Sequence, residues 1–489
     1  MDILHQILEI ITQWYWIPVL LIYLTVIATI LIENRNPTKT IAWVMLIIFI
    51  PVLGMVFYYL FGQKFKKVQS FKLSNQALQK FMNERWGQLN PILEANLKEL
   101  AIEIGSLKRV YRFLVNQRVS PVVMGNKVDL LINGEEKFPA LFEAIEAATH
   151  HINLEYYIFE PDGIGTRLIE VLERKASEGV EVRIIVDGFG SPRMSRMVRK
   201  LNESGLITVV FLPVGFASLA NSNYRNHRKF AIIDGQVAFI GGINISDYYL
   251  NPNTRSKVYW RDTSIRIEGY AVNVLQAYFW MDWHFAGGKE YAVTKRHLFI
   301  ERDSPPGDAA VGFATSDPGS DSPYCMEALL IAIAEAETRI RLATPYYIPS
   351  EELSTALRIA ASTGVEVELM IPSRGDSYIV QHASMSFLKP LLKRGVKVYL
   401  YKKGFLHAKT VTIDNKLAFV GTVNLDTRSF FINFETSAII SESAFCQRMN
   451  DQFELDIADS QLVTLETWLQ RPRWKRGIDS ICRLLAPLL

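Results

Sequence analysis

The sequence predicts an α/β protein: an N-terminal transmembrane helical hairpin, then two duplicated α/β domains sharing one cleft. Three observations carry this expectation. Two uncharged apolar stretches lie within residues 1–63. The rest of the chain alternates β-rich and helix-periodic runs in β-α-β order. The pattern of residues 121–300 returns in residues 301–489, displaced by about 180 positions, far beyond a solenoid repeat of roughly 20–50 residues. A chain of 489 residues is too long for one core, and 21% charged with 49% hydrophobic residues excludes a disordered chain. The net charge of +3 does not mark a strongly cationic chain, so no nucleic-acid partner is expected. Cys325, Cys446 and Cys482 are far apart and odd in number, which fits neither a disulfide framework nor a zinc site.

The hairpin comes first in order. Ile17 to Ile32 reads IPVLLIYLTVIATILI, preceded by Trp14, Tyr15 and Trp16, and Ile41 to Phe61 is again uncharged. At 1.5 Å per residue either stretch suits a hydrocarbon core of roughly 30 Å. Asn36 and Pro37 read as the cap and first position of the second helix. The opening MDILHQ has no Lys or Arg and no small-residue cleavage site follows, which argues against a signal peptide. Lys64, Lys66, Lys67 and Lys72 follow the second stretch. That weight predicts a two-helix protein of the cell membrane with its large C-terminal portion in the cytoplasm. Residues 64–120 are mostly polar with helical periodicity and are expected to form a connecting helical segment.

The duplication is legible in short matches: ASEGVEV (176–182) with ASTGVEV (361–367), NLEYYIF (153–159) with LATPYYI (342–348), and ESGLITVVF (203–211) with KRGVKVYLY (393–401). Each copy then carries the same polar skeleton on an apolar strand, HRKFAIID at 227–234 and HAKTVTID at 407–414. Asp234-Gly235 and Asp414-Asn415 are hairpin dipeptides. Folded there in simple register, Lys229 lies opposite Ile240 and His227 opposite Gly242, with His407 opposite Thr422. A period of two puts each His and Lys on one strand face, and Asn244 and Asn424 follow the returning strands.

Such a set suits a phosphodiester. Lysine supplies positive charge and asparagine amide donors where negative charge must be held. Histidine can attack phosphorus as a neutral base or donate a proton as an acid. Two copies provide the two histidines of a two-step displacement, one forming a phosphohistidine and the other moving the proton. One His-x-Lys on a strand is commonplace and usually structural. The full pattern H-x-K-x4-D-x6-G-[GT]-x-N, twice within a duplicated domain, is hard to obtain by chance. Lysine is a poor metal ligand and no His/Cys/Asp cluster surrounds either copy, so no metal is expected.

With both motif copies complete, the chain resembles the phospholipase D superfamily. Within it, the chain is similar to the bacterial cardiolipin synthases over nearly its whole length. NRNPTKTIAW, GGINISDYYL, TPYYIPSEELSTAL, GFLHAKT and GTVNLDTRSFFINFE carry the likeness. SDPGSDS (316–322) departs from a common Ser-Gly-Pro-Asp, and Gly242 stands where Ser or Thr is frequent. The resemblance implies two phospholipase D-like domains with the site between them. His227, Lys229, Asp234, His407, Lys409 and Asp414 form the catalytic motifs, the aspartates mainly structural. Asn244, Thr422 and Asn424 would meet substrate phosphate. His227 would be the nucleophile and His407 the acid/base. Carboxylates further along the chain, Asp262 after the first histidine and Glu435 after the second, would orient the imidazoles. The implied reaction joins two phosphatidylglycerol molecules into cardiolipin and glycerol without a cofactor, in contact with anionic membrane lipid. A phospholipase D-type hydrolase or another phosphatidyltransferase of the superfamily is the alternative. The C-terminal RPRWKRGIDSICRLL could touch anionic lipid or pack as a surface helix.

Overall fold

The computed structural model describes residues 14, 16–32, 37–62, 91–215, 223–251, 258–289 and 304–486. They fall into two compact units, the N-terminal helices and an α/β body. In the first, helices Trp16–Ile32 and Pro37–Phe49 pack through Ile30 and Ile47 with Tyr58 from further along the chain, and the Tyr23 hydroxyl donates to the Ile47 carbonyl. The second helix starts at Pro37 as expected. Tyr15, Asn36, Gln63 and residues 64–90 of the connecting segment lie outside the described residues. Among the described residues no helix is long and apolar enough to cross a membrane. Trp16–Ile32 has 17 residues, about 26 Å at 1.5 Å per residue. The second apolar stretch, expected to be one helix, breaks at Ile50 (φ −133°, ψ 74°), because a proline drives the residue before it out of the helical region. It resumes as Pro51–Phe57 and ends in a π-helical turn, Tyr58–Gly62.

The body is built on one continuous 15-stranded sheet whose strand order is a near-mirror. From one edge the first half runs Ile207–Phe211, Glu181–Asp187, His151–Tyr156, Lys229–Ile233, Val237–Gly241, Thr263–Glu268, Val123–Ile132. The second half then runs outward as Ala309–Ser316, Glu435–Ser441, Leu417–Gly421, Thr410–Ile413, Arg339–Ala343, Glu366–Pro372, Lys397–Tyr401, with Ser460–Val463 added at the edge. Val123–Ile132 and Ala309–Ser316 pair antiparallel and join the halves. The outer three strands of the first half are parallel, linked by helices Gly163–Ser177 and Pro192–Glu203. The repeated ASxGVEV stretch is the physical stop signal in both copies. Helices Gly163–Ser177 and Glu351–Ser362 end just before Gly179 (φ 94°) and Gly364 (φ 99°), left-handed positions that glycine takes at low cost. Their starts are capped by Asp162 and Ser350, whose side chains accept from the N–H groups of Gly165 and Leu353.

The part of the connecting segment that is described belongs to the core of the second half. Leu93, Leu97, Leu100, Ile104, Val110, Tyr111 and Leu114 pack with Leu329, Ile340, Leu369 and Ile439, and the Tyr111 hydroxyl lies 3.2 Å from the carbonyls of Ala310 and Ile439.

The hairpin register differs by one residue from the simple fold-back. Phe230 pairs with Ile240 and Thr410 with Val420, so the turns hold three residues rather than two. The motif aspartates explain this. Asp234 accepts from the N–H groups of Thr149, His150 and His151 at 2.8 Å each, and Asp414 from those of Glu337, Thr338 and Arg339 at 2.7–2.8 Å. Each thus leaves its hairpin, at positive φ, to pin the turn onto the start of the adjacent strand.

Candidate active site

The residues leading into each histidine pair with the other half. Gly404–Leu406 runs parallel to Tyr259–Arg261, and the His407 N–H donates to the Arg261 carbonyl at 2.7 Å. In the mirror-related place Asn226 bridges to Phe434, and the His227 N–H donates to the Phe434 carbonyl at 2.9 Å. The next residue after each crossed-over segment is a carboxylate, Asp262 after Arg261 and Glu435 after Phe434. The carboxylates are therefore exchanged. Glu435 holds His227 Nδ1 at 2.9–3.0 Å, and Asp262 holds His407 Nδ1 at 2.6 Å. Chain order suggested pairing within each half; the structure gives each histidine the carboxylate of the opposite half.

A carboxylate only accepts, so Nδ1 of His227 carries the proton; at His407, where the Lys409 ammonium also lies 3.0 Å from Nδ1, the shorter 2.6 Å contact to Asp262 favours the same tautomer, and Nε2 keeps its lone pair. Burial drives both imidazoles down to about 4. Glu435 opposes this at His227 and Asp262 at His407, while Lys229 and Lys409 reinforce it. Burial would raise the two carboxylates, but the cations and imidazoles beside them outweigh it and keep both below the ordinary carboxylate range. Burial likewise lowers the lysines, Lys409 to about 8 and Lys229 well below its usual value.

Both histidines line one cleft of about 1010 Å³ between the halves, together with Asn244 and Asn424. Lys229 and Lys409 lie beneath them. Each ammonium donates to the carbonyl of its own motif histidine, at 2.6 and 2.5 Å. Asn244 donates to the Tyr249 hydroxyl at 2.6 Å and accepts from the Ile158 N–H at 3.1 Å. The side-chain oxygen of Asn424 is buried without a protein partner. Thr422, expected at the phosphate, is fully buried behind Glu435, to which its hydroxyl donates at 2.5 Å; it braces the carboxylate. Asp234 and Asp414, counted in the catalytic motifs, stand at the hairpin turns and not among the cleft-lining residues. At Gly242, the counterpart of Thr422, a Cβ would lie 2.2 Å from Asp262 Oδ1. The glycine makes room for the carboxylate that serves His407.

Several cleft residues escaped the sequence reading. The Tyr157 ring stands 5.0 Å from that of His227. Tyr249 and Trp260 stand 5.9 and 5.5 Å from that of His407. Asn433 donates to Glu435 at 3.1 Å. Lys137, buried behind the cleft lining, donates to the Ile243 carbonyl at 3.2 Å, next to Asn244. Arg193, Arg225 and Arg428 also line the cleft. Comparing the copies at their offset of 180 would have singled out Arg225 against Phe405 and Arg428 against Tyr248.

Two carboxylate-oriented imidazoles, His407 buried and His227 partly so, with Nε2 turned from the carboxylates and two ammonium groups beneath, define a phosphodiester-processing site of the paired-histidine kind. Residues 141–283 and 329–457 match the family model described as the phospholipase D-like domain of cardiolipin synthase, and residues 19–63 match the phospholipase D-nuclease N-terminal model. Cardiolipin synthase of Alkalihalophilus pseudofirmus is 37% identical over 94% of this chain and 91% of its own. That of Geobacillus sp. is 38% identical over 94% and 90%. The crystal structure of a Haemophilus influenzae phosphatidylserine synthase superposes with a TM-score of 0.60 at 12% identity, covering 78% of this chain and all of that one, and shows the shared fold. The chain belongs to the cardiolipin synthase family of the phospholipase D superfamily.

Proposed function

We propose that this protein transfers a phosphatidyl group between two phosphatidylglycerol molecules, giving cardiolipin and glycerol. The observation that carries this reading is the exchanged pairing of histidines and carboxylates, which leaves two Nε2 atoms facing one cleft. His227 Nε2 attacks phosphorus, the bond to the glycerol oxygen breaks, and His407 Nε2–H protonates the departing oxygen. The terminal hydroxyl of a second phosphatidylglycerol then gives its proton to His407. Its oxygen attacks phosphorus, and the phosphorus–nitrogen bond breaks. Lys229 and Lys409 supply positive charge from below, and Asn244 and Asn424 face the nonbridging oxygens. His407 is neutral in the empty cleft; the negative charge of a bound phosphodiester raises its affinity for the proton it must deliver. The bonds broken and made are alike, so the reaction needs no activated donor and runs in both directions.

The N-terminal helices anchor the chain in the cell membrane as a two-helix hairpin, with the catalytic body in the cytoplasm. This rests on the outward apolar side chains of Val19, Leu21, Ile22, Leu24, Ile41, Phe49 and Val52, the uncharged sequence of both stretches, and the lysines that follow. The test uses purified full-length protein in phosphatidylglycerol vesicles with chelator, with products read by mass spectrometry. Cardiolipin and glycerol are the expected products. Phosphatidic acid without cardiolipin would replace this reading with hydrolysis.

A further inference from the structure

The charge in the cleft is unevenly divided. Of its three arginines, Arg193 pairs with the cleft residue Glu160 at 3.4 Å, and Arg225 and Arg428 act on Tyr157 beside His227; Asp376 and Asp426 act electrostatically on Lys409 beneath His407, and Arg428 in turn acts on Asp426. The backbone brings Arg225 and Arg428 together: the Phe434 N–H donates to the Arg225 carbonyl at 2.9 Å, and the preceding Asn433 N–H to the Arg428 carbonyl at 3.0 Å. Both guanidinium groups bear on the Tyr157 hydroxyl, and Arg428 helps burial to weaken proton binding by Arg225, so the two cations share one space. Asp187 lies 3.7 Å from Arg225 but also accepts from the N–H groups of Phe189, Gly190 and Asn226. At the duplicated positions beside His407 stand Phe405 and Tyr248.

In the proposed reaction Lys229, Lys409, Asn244 and Asn424 serve the reacting phosphate, and Arg225 and Arg428 line the cleft where another anion can sit. The proposed reaction must hold a second anion at the same time. An acceptor phosphatidylglycerol carries its phosphodiester three carbons from the hydroxyl that attacks. In-line displacement brings that hydroxyl to the face of phosphorus away from His227, beside His407. Asp376 repels a second phosphate there, whereas Arg225 and Arg428 attract one.

We propose that Arg225 and Arg428 form the subsite for the acceptor's phosphodiester and so select an anionic lipid over a neutral alcohol as the second substrate. The proposal rests on the phosphatidyl-transfer reading above. It is tested with labelled glycerol added to phosphatidylglycerol vesicles, because one phosphohistidine then partitions between two acceptors. Transfer to glycerol regenerates labelled phosphatidylglycerol and needs no second anion; transfer to phosphatidylglycerol gives cardiolipin. In Arg225→Gln and Arg428→Gln the ratio of cardiolipin to exchanged label should fall about tenfold or more, and Arg428→Lys should recover part of it. Both products falling in proportion, or an unchanged ratio, would overturn the subsite. A wild-type protein that makes neither product would instead sink the transfer reading. Arg428→Lys, which keeps the charge, and thermal unfolding of each variant separate lost charge from lost fold.

Discussion

Around His227 the cleft wall is cationic, with Arg225, Arg428 and the Tyr157 ring. Around His407 it is aromatic and acidic, with Trp260, Tyr249 and Asp376, which accepts from the Tyr346 hydroxyl at 2.6 Å. Behind the imidazoles the copies differ again. Glu435 is braced by the Thr422 hydroxyl, whereas Asp262 fills the space that Gly242 leaves open. Duplication supplied the same histidine, lysine and asparagine twice, and divergence of the neighbours allows the two imidazoles different tasks.

The largest effects test that division of labour. His227→Ala should abolish both cardiolipin formation and phosphohistidine. His407→Ala should lose about 10³-fold or more with phosphatidylglycerol, yet still form phosphohistidine from a phosphodiester whose leaving group needs no proton. Equal loss of phosphohistidine in both variants would show that the nucleophile assignment is wrong. The exchanged pairing makes the next prediction. Asp262→Asn, though in the first half, should behave like a weaker His407→Ala, with a loss on the order of 10²-fold or more. Removing this carboxylate lowers the His407 proton affinity further, so the deficit should deepen as pH rises. If it tracked His227→Ala instead, the crossing would be disproved.

Gly242→Ser should cost roughly tenfold to a hundredfold in kcat by pushing Asp262 off His407, and Thr422→Val several-fold by unbracing Glu435. Activity unchanged in Gly242→Ser would mean that Asp262 tolerates displacement. Acid titration gives a subtler result. Both imidazoles titrate near 4 when folded against 6.5 ordinarily, so between these values the unfolded chain binds more protons. Stability should therefore fall as pH drops from 6.5 toward 4, by roughly 1–3 kcal/mol per histidine. Denaturant midpoints of wild type and His227→Ala should converge over that range. The acid limb of kcat/KM should lie near 4. Asp234→Asn should be smallest in activity, lowering stability by about 1–3 kcal/mol through its lost backbone contacts while kcat holds.

Some of this was legible in the chain. The glycines that close the two ASxG helix ends, the β-α-β alternation and the doubled H-x-K pattern are local signals, and local signals survive in sequence. Asn244 and Asn424, expected just after the returning strands, line the cleft. Thr422 was misplaced because a hydroxyl one residue from a strand end can face the cleft or the layer behind it, and only the position of Glu435 decides. The three-residue turn was missed because Asp234 and Asp414 find their partners at the start of another strand, 75 or more residues away.

By itself the sequence determined the chemistry of the groups, their duplication, and the apolar N-terminal stretches. Only the tertiary structure decided that Glu435 serves His227 and Asp262 serves His407, and that Arg225 and Arg428, 203 positions apart, share one wall. The reason is physical. Side-chain period and turn chemistry act over a few residues, whereas the exchange depends on backbone hydrogen bonds between halves, such as His407 N–H to Arg261 and His227 N–H to Phe434. No pattern within either copy records those bonds.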